Sequence, residues 1–173
     1  MEGLTRLESK AFSSEGEAGS REENANAPTL PRKVQSVLFM CAMNAVRSPM
    51  AEALAKHFFG KSIYVQSAGA RKGEADGFAL AVLDEIGIDL RRHKPKSIEE
   101  LEEWEGLNFD LIITLSPEAH HKALDLTRTH AAAVEYWPTV DPTVFQGSRE
   151  QKLDAYREVR DGLIRRIKQR LQS

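Results

Sequence analysis

Residues 37–54 read VLFMCAMNAVRSPMAEAL and contain Cys41, the one cysteine among the 173 residues of the chain. The apolar run before Cys41 predicts a strand that is buried on both faces. Ser48 and Pro49 predict the cap and the first turn of a helix, which we expect over 49–59. The cysteine therefore lies in a short loop between a buried strand and the N-terminus of a helix.

The rest of the chain alternates between strand-like and helix-like segments. The predicted strands cover 34–40, 62–69, 109–115 and 131–137. The predicted helices cover 49–59, 75–87, 97–104 and 116–128, and a last helix begins at 148. This alternation predicts an α/β layer with a mostly parallel sheet. Ligands of such sheets bind beyond the carboxyl ends of the strands, which is where the Cys41 loop is expected.

The composition of the chain argues against a nucleic-acid-binding, a disulfide-rich or zinc-binding, and a membrane-spanning protein. The 24 basic and 26 acidic side chains nearly balance, which is not typical of a general nucleic-acid binder. One cysteine allows neither an internal disulfide nor a cysteine-rich zinc site, and no apolar run reaches the roughly 18 residues of a membrane span. We therefore expect a cytoplasmic protein with no metal or cofactor and no nucleic-acid or membrane partner.

The N-terminal segment differs from the rest of the chain. Its first 30 residues hold six glutamates and three basic residues among Ser, Gly, Ala and Asn. Such a composition predicts a disordered acidic tail over 1–32. The single predicted domain then covers 33–173.

The spacing from Cys41 to Arg47 indicates an anion site. A loop that curls around one point directs its backbone N–H groups there, and the following helix adds its own free N–H groups. The Arg47 guanidinium matches two phosphate oxygens, and these features together favour the thiolate form of Cys41. The alternative is that Cys41 is a small, buried residue of the core.

A nucleophile in such a site suits phosphoryl transfer in two steps. The thiolate displaces an alcohol or phenol to give a phosphocysteine, which water then hydrolyses. The leaving oxygen needs a proton, and Asp141, in the loop after the fourth strand, is the candidate acid. Asp141 before Pro142 is also the pattern of a simple turn.

The residues around this loop resemble the low-molecular-weight protein tyrosine phosphatases, which are related to the thioredoxin-coupled arsenate reductases. The stretches that carry the resemblance are LFMCAMNAVRSPMAEAL, SAG at 67–69, GIDLRRHKPKS at 87–97, FDLIITL at 109–115 and DP at 141–142. The resemblance implies an α/β fold with a four-stranded parallel sheet, of strand order 2-1-3-4, flanked by helices.

The resemblance also implies roles for individual residues. Cys41 is expected to be the nucleophile, Arg47 the phosphate clamp and Asp141 the general acid. Ser67 and His93 are expected to brace Asn44 and Ser48 from behind. The phosphate-binding loop would be formed by Ala42, Met43, Asn44, Ala45, Val46 and Ser48, with Asn44 in an unusual backbone conformation and Ser48 donating to the thiolate.

The loop departs from the family pattern C-x-G-N-x-C-R-S at two positions, and a third departure follows Asp141. Met43 replaces the glycine and Val46 replaces the second cysteine. Thr143 and Val144 follow Pro142 where the family usually has an aromatic residue beside the substrate ring. The basic run 91–96 is either a solvated loop or a rim that attracts acidic substrates.

The predicted function is a cysteine-dependent phosphatase that hydrolyses a phosphomonoester, with protein phosphotyrosine and small phosphomonoesters as the candidate substrates. Two alternatives stay open. One is an arsenate reductase that uses an external thiol, since the chain has no further cysteine to relay electrons. The other is a module that binds phosphate or phosphoproteins without catalysis.

Overall fold

The structure is a computed structural model that describes residues 33–172. The predicted acidic tail therefore lies outside the described residues. The strands are β1 (Ser36–Cys41), β2 (Tyr64–Gly69), β3 (Leu111–Thr114) and β4 (Ala133–Tyr136). The helices are α1 (Arg47–Phe59), α2 (Gly77–Asp84), α3 (Ile98–Glu105), α4 (Pro117–Leu126) and α5 (Arg149–Leu171), with a 3₁₀ turn over Pro142–Val144.

The four strands form one sheet in the order β2-β1-β3-β4, and every pairing is parallel. The predicted topology is thus confirmed. β1 is central because it pairs with β2 on one side and β3 on the other, with Phe39 opposite both Ser67 and Ile113. β4 is more exposed than the other three strands, as expected for an edge strand that lacks a continuous apolar run.

Alternation along β1 divides the core between the two faces of the sheet. Val37, Phe39 and Cys41 point to a cluster formed with α1, α2 and α5. Leu38 and Met40 point to a second cluster, formed with α3 and α4. The cysteine therefore faces the side of the sheet that α1 and α5 cover.

The helix boundaries follow from capping in most cases. Ser97 and Ser148 form the predicted capping boxes at the starts of α3 and α5, and Asp76 caps α2. The predicted start of α1 was wrong, because α1 begins at Arg47, with Val46 at the cap position and no side-chain cap bond. Ser48 lies inside this helix, and its hydroxyl serves the cysteine instead.

None of the helices within residues 33–172 combines the length and the apolar composition that a membrane crossing requires.

Candidate active site

Cys41 ends β1 and Arg47 begins α1, so the loop between them crosses the carboxyl edge of the sheet. The Cys41 side chain is buried, and its Sγ lies 3.0 Å from Ser48 Oγ and 3.4 Å from the Ser48 amide nitrogen. Within the described residues, no amide from Met43 to Val46 donates to a protein acceptor. These N–H groups are therefore available to a bound oxyanion.

Asn44 holds this loop in shape. It is the only non-glycine residue of 33–172 with positive φ, at 54°, and it is completely buried. Its Nδ2 donates to Ser48 Oγ and Ser67 Oγ, each at 2.9 Å, and its Oδ1 accepts from the Lys96 amide at 2.9 Å. Because Ser48 Oγ already accepts from Asn44, its own proton is free to point at the Cys41 sulfur.

His93 reaches the same loop from the 87–96 segment. Its Nε2 lies 3.3 Å from the Asn44 carbonyl oxygen, and burial lowers the pKa of its imidazole. Ser67 and His93, which we expected to brace Asn44 and Ser48, both contact Asn44. Ser48 forms no hydrogen bond with either side chain in the described part of the chain.

Glu52 is a member of the site that the sequence analysis missed. Its carboxylate is buried at 7% exposure on α1, where it accepts from Ser67 Oγ and Lys56 Nζ and lies 3.8 Å from His93 Nδ1. A signal was present, because Glu52 follows Ser48 by one helical turn and so lies on the same face of α1. The hydrogen bonds thus run from Glu52 through Ser67 and the Asn44 amide to Ser48 and the cysteine.

Arg47 and Asp141 meet beside the cysteine. Arg47 Nη1 donates to the Thr139 carbonyl at 3.0 Å, and its Nη2 lies 3.8 Å from Asp141 Oδ2. Asp141 Oδ1 accepts from the Thr143 amide at 3.0 Å and from its hydroxyl at 2.7 Å. One carboxylate oxygen thus forms the turn, and the other faces the guanidinium.

These side chains line a cavity of about 210 Å³. Its lining residues are Cys41, Met43, Ala45, Val46, Arg47, Glu74, Asp76, Asp141 and Thr143. Ala42 does not line this cavity, and its carbonyl accepts from the Arg71 amide at 2.8 Å. Gly73 and Arg71 pair with the loop backbone in this way, which places Glu74 at the mouth of the cavity.

Met43 takes an ordinary backbone conformation, because its φ is not positive. The loop therefore does not need a glycine at this position. The Met43 side chain is 38% exposed, packs beside Gly73 and has its sulfur 2.9 Å from Arg71 Nη1. It forms one wall of the cavity.

Two sequence features lie away from this cavity. The basic run 91–96 does not line it, so of the two interpretations of this run the structure does not support the cationic rim. Phe145, which follows Thr143 and Val144 after the Asp141–Pro142 pair, lines a groove against α5, and no aromatic side chain of residues 33–172 lines the Cys41 cavity. The acids Glu74 and Asp76 stand at the rim instead.

Comparisons with known proteins agree with this geometry. The family model of low molecular weight phosphotyrosine protein phosphatases matches residues 36–173. An arsenate reductase of Bacillus subtilis is 33% identical over 134 residues, which are 77% of this chain and 92% of that protein.

Two solved structures are similar over more than three quarters of this chain. An arsenate reductase in its phosphate-binding state has a TM-score of 0.61 and 27% identity, covering 79% of this chain and 96% of that chain. The YwlE arginine phosphatase has a TM-score of 0.62 and 26% identity, covering 78% of this chain and 92% of that chain. Fold, loop and family match together show that the chain belongs to the low-molecular-weight phosphotyrosine protein phosphatase family.

Proposed function

We propose that the chain is a cysteine-dependent phosphatase that hydrolyses a phosphomonoester through a phosphocysteine intermediate. The observation that carries this proposal is the Ser48 hydroxyl, which lies 3.0 Å from Cys41 Sγ, accepts from Asn44 and has its own proton free to donate to the sulfur. Its proton stabilises a thiolate at the floor of a cavity that also holds Arg47 and Asp141.

The first step transfers the phosphoryl group to the enzyme. The Cys41 thiolate attacks phosphorus, an S–P bond forms, and the P–O bond to the leaving alcohol or phenol breaks. Asp141 gives its proton from Oδ2 to the leaving oxygen, since Oδ1 is engaged by Thr143. Arg47 and the free loop amides bind the three equatorial oxygens, on which charge is spread.

The second step restores the enzyme. Asp141 takes a proton from water, the water oxygen attacks phosphorus, and the S–P bond breaks. The products are inorganic phosphate and the Cys41 thiolate. Neither step needs a metal ion or a second cysteine, and both use the same cavity.

The charge of the cavity lining favours substrates that carry a positive charge beside the phosphate. Glu74 and Asp76 add two carboxylates to the lining, besides Asp141, which carries the proton for the leaving group. No aromatic side chain of residues 33–172 lines the cavity to pack on a phenyl ring. A substrate with positive charge next to its phosphate is therefore favoured by Coulomb attraction. Phosphoarginine belongs beside phosphotyrosine in the substrate panel, since one similar structure is an arginine phosphatase. It is a phosphoramidate, so the bond that breaks in it is P–N, and the leaving guanidine nitrogen takes the proton in place of the leaving oxygen.

Arsenate reduction is the second candidate, because similar proteins are named arsenate reductases. Arsenate has the same tetrahedral shape and charge as phosphate and fits the same loop. This chain has one cysteine, so the electrons would have to come from an external thiol such as glutathione. A non-catalytic phosphate-binding module is the remaining alternative.

One assay series separates these functions. The wild-type chain and the Cys41→Ser variant are compared on para-nitrophenyl phosphate, a phosphotyrosyl peptide, a phosphoarginyl peptide, and arsenate with glutathione. We expect phosphate release by the wild type and none by the variant, with phosphate binding retained in both. Phosphate release by Cys41→Ser would refute the covalent route. Arsenite formation without phosphate release would favour the reductase, and binding without either turnover would favour the module.

A further inference from the structure

A second cavity, of about 730 Å³, lies at the outer edge of β2. It shares no lining residue with the Cys41 cavity. Its walls are α1, the 87–96 segment and the end of α3, where Trp104 is 66% exposed. Nothing in the proposed reaction uses this cavity.

The carboxylates that line this cavity all have partners. Glu52 accepts from Ser67 and Lys56, as described above. Asp89 is bonded to the guanidinium of Arg91, and Glu105 accepts from the hydroxyl of Tyr64. Glu105 keeps its negative charge, because its partner is a neutral hydroxyl. The four lining cations Lys56, Arg92, Lys94 and Lys96 nevertheless outnumber the three lining carboxylates by one, and by two when Arg91 is counted with Asp89.

Three of the lining cations have no carboxylate partner within residues 33–172, namely Arg92, Lys94 and Lys96. Burial lowers the pKa of Lys96, because its ammonium group is poorly solvated there. An anion in this cavity would supply the missing counter-charge. It would also lie against the segment whose Lys96 amide holds Asn44.

The chain itself enters the domain close to this cavity. Lys33 is the first described residue, and Gln35 follows it by two positions. The Gln35 carbonyl accepts from the Tyr64 amide at 2.8 Å. The Tyr64 hydroxyl contacts Gln66 and Glu105, which both line the cavity. Residues N-terminal to Lys33 are thus attached beside its wall.

The sequence before Lys33 has the matching charge. Residues 15–23 read EGEAGSREE, with four glutamates and one arginine. The ten residues from Glu23 to Lys33 can span up to about 33 Å. Lys96 lies beside Gly69, at the far end of β2, and the five steps from Tyr64 to Gly69 cover only about 17 Å. The acidic segment is therefore long enough to reach the cations.

We propose that the acidic segment 15–23 binds in this cavity, with its glutamates on Arg92, Lys94 and Lys96. A tethered segment competes well against free anions, because its effective concentration reaches the millimolar range or so. The bound segment covers the exposed face of Trp104. It also packs against the 87–96 segment, behind the Cys41–Arg47 loop.

Carbodiimide cross-linking of the full chain, read by mass spectrometry, tests this contact. We expect cross-links within one chain from Glu22 or Glu23 to Lys94 or Lys96. Lys168, exposed on α5, is the internal control and should form none. Equal cross-linking to Lys168, or cross-links only between two copies of the chain, would overturn the proposal.

Charge reversal provides a second measurement that does not depend on catalysis. Acrylamide quenching of tryptophan fluorescence reports on Trp104, since Trp137 is buried at 7% exposure. The pair Arg92→Glu and Lys94→Glu should increase quenching, and adding Glu22→Lys and Glu23→Lys should restore protection. A control reversal of Arg165 and Lys168 should change nothing. Unchanged quenching in the cavity variant, or no restoration by the swapped pair, would refute the docking.

Discussion

Replacing Asn44 by alanine tests whether this side chain holds the loop around the cysteine. The substitution removes the two hydrogen bonds to Ser48 and Ser67 and leaves the Lys96 amide without its acceptor. It also leaves alanine in a left-handed backbone conformation, with a φ of 54°, without the polar side chain that lets asparagine tolerate this conformation. Each of these losses lowers the free energy of unfolding by an amount that can be approximated.

The expected loss of stability follows from the contacts. The partly buried Lys96 amide without an acceptor costs about 1–3 kcal/mol, and each lost hydroxyl bond costs about 0.5–1.5 kcal/mol. The left-handed backbone costs alanine about 1–2 kcal/mol. The sum is about 3–8 kcal/mol, against a stability of about 5–15 kcal/mol for a typical domain.

The matched control is Asn44→Gly, which loses the same hydrogen bonds but accepts the positive φ. We expect it to be more stable than Asn44→Ala by about 1 kcal/mol. Urea unfolding of the wild type and both variants measures these differences, with phosphate release recorded in parallel. A change of about 0.5 kcal/mol or less for Asn44→Ala, which is the size of a typical surface substitution, would refute the reasoning. Equal stability of the two variants would mean that backbone strain plays no part.

Three further predictions concern the acid, the cavity wall and the buried histidine. Asp141→Asn should slow hydrolysis of phenyl phosphate by about 10²- to 10⁴-fold and that of para-nitrophenyl phosphate much less, because the second leaving group needs little protonation; equal losses would assign the proton to another group. Met43→Gly should raise kcat/KM on aryl phosphates several-fold with little change in phosphate inhibition, since it removes one wall of the cavity, whereas a slower variant would make Met43 a substrate contact. Burial lowers the pKa of His93 below 6.5, so the unfolded chain binds the proton more readily and stability should fall as the pH drops below about 6.5. His93→Gln should reduce this fall in urea midpoints, leaving the part due to His120, whose pKa is also lowered by burial; identical pH profiles would contradict the argument.

The alternation of strands and helices and the position of the cysteine could be predicted from local pattern, whereas the order of the strands was implied by the resemblance to a known family. Apolar runs of strand length, capping residues such as Ser97 and Ser148, and the C-x5-R spacing are all short-range signals. The positive φ of Asn44 agrees with the unusual conformation that the resemblance implied, and asparagine tolerates this conformation better than most residues. These features depend on residues that are close together in the chain.

The start of α1 and the use of Ser48 could not be predicted in the same way. A serine before a proline is a good helix cap by local criteria. Here the hydroxyl is turned to a sulfur seven residues earlier, because strand and helix return to the same point in space. The preference of Ser48 for a helix cap was therefore outweighed by its contact with Cys41, which forms only in the folded loop.

The charged residues that lie near Cys41 were the feature that depended most on the tertiary structure. The basic run 91–96 and the acids Glu74 and Asp76 are equally visible in the sequence, but the sequence does not say which of them faces Cys41. The backbone pairing of Arg71 and Gly73 with the loop brings the acids to the catalytic cavity, and the basic run folds to the outer side of β2. Charge acts through space, over distances that are set by how the chain packs rather than by position along it. The sequence by itself therefore determined the fold and indicated Cys41 as the candidate nucleophile, and only the tertiary structure decided the electrostatic surroundings in which Cys41 lies.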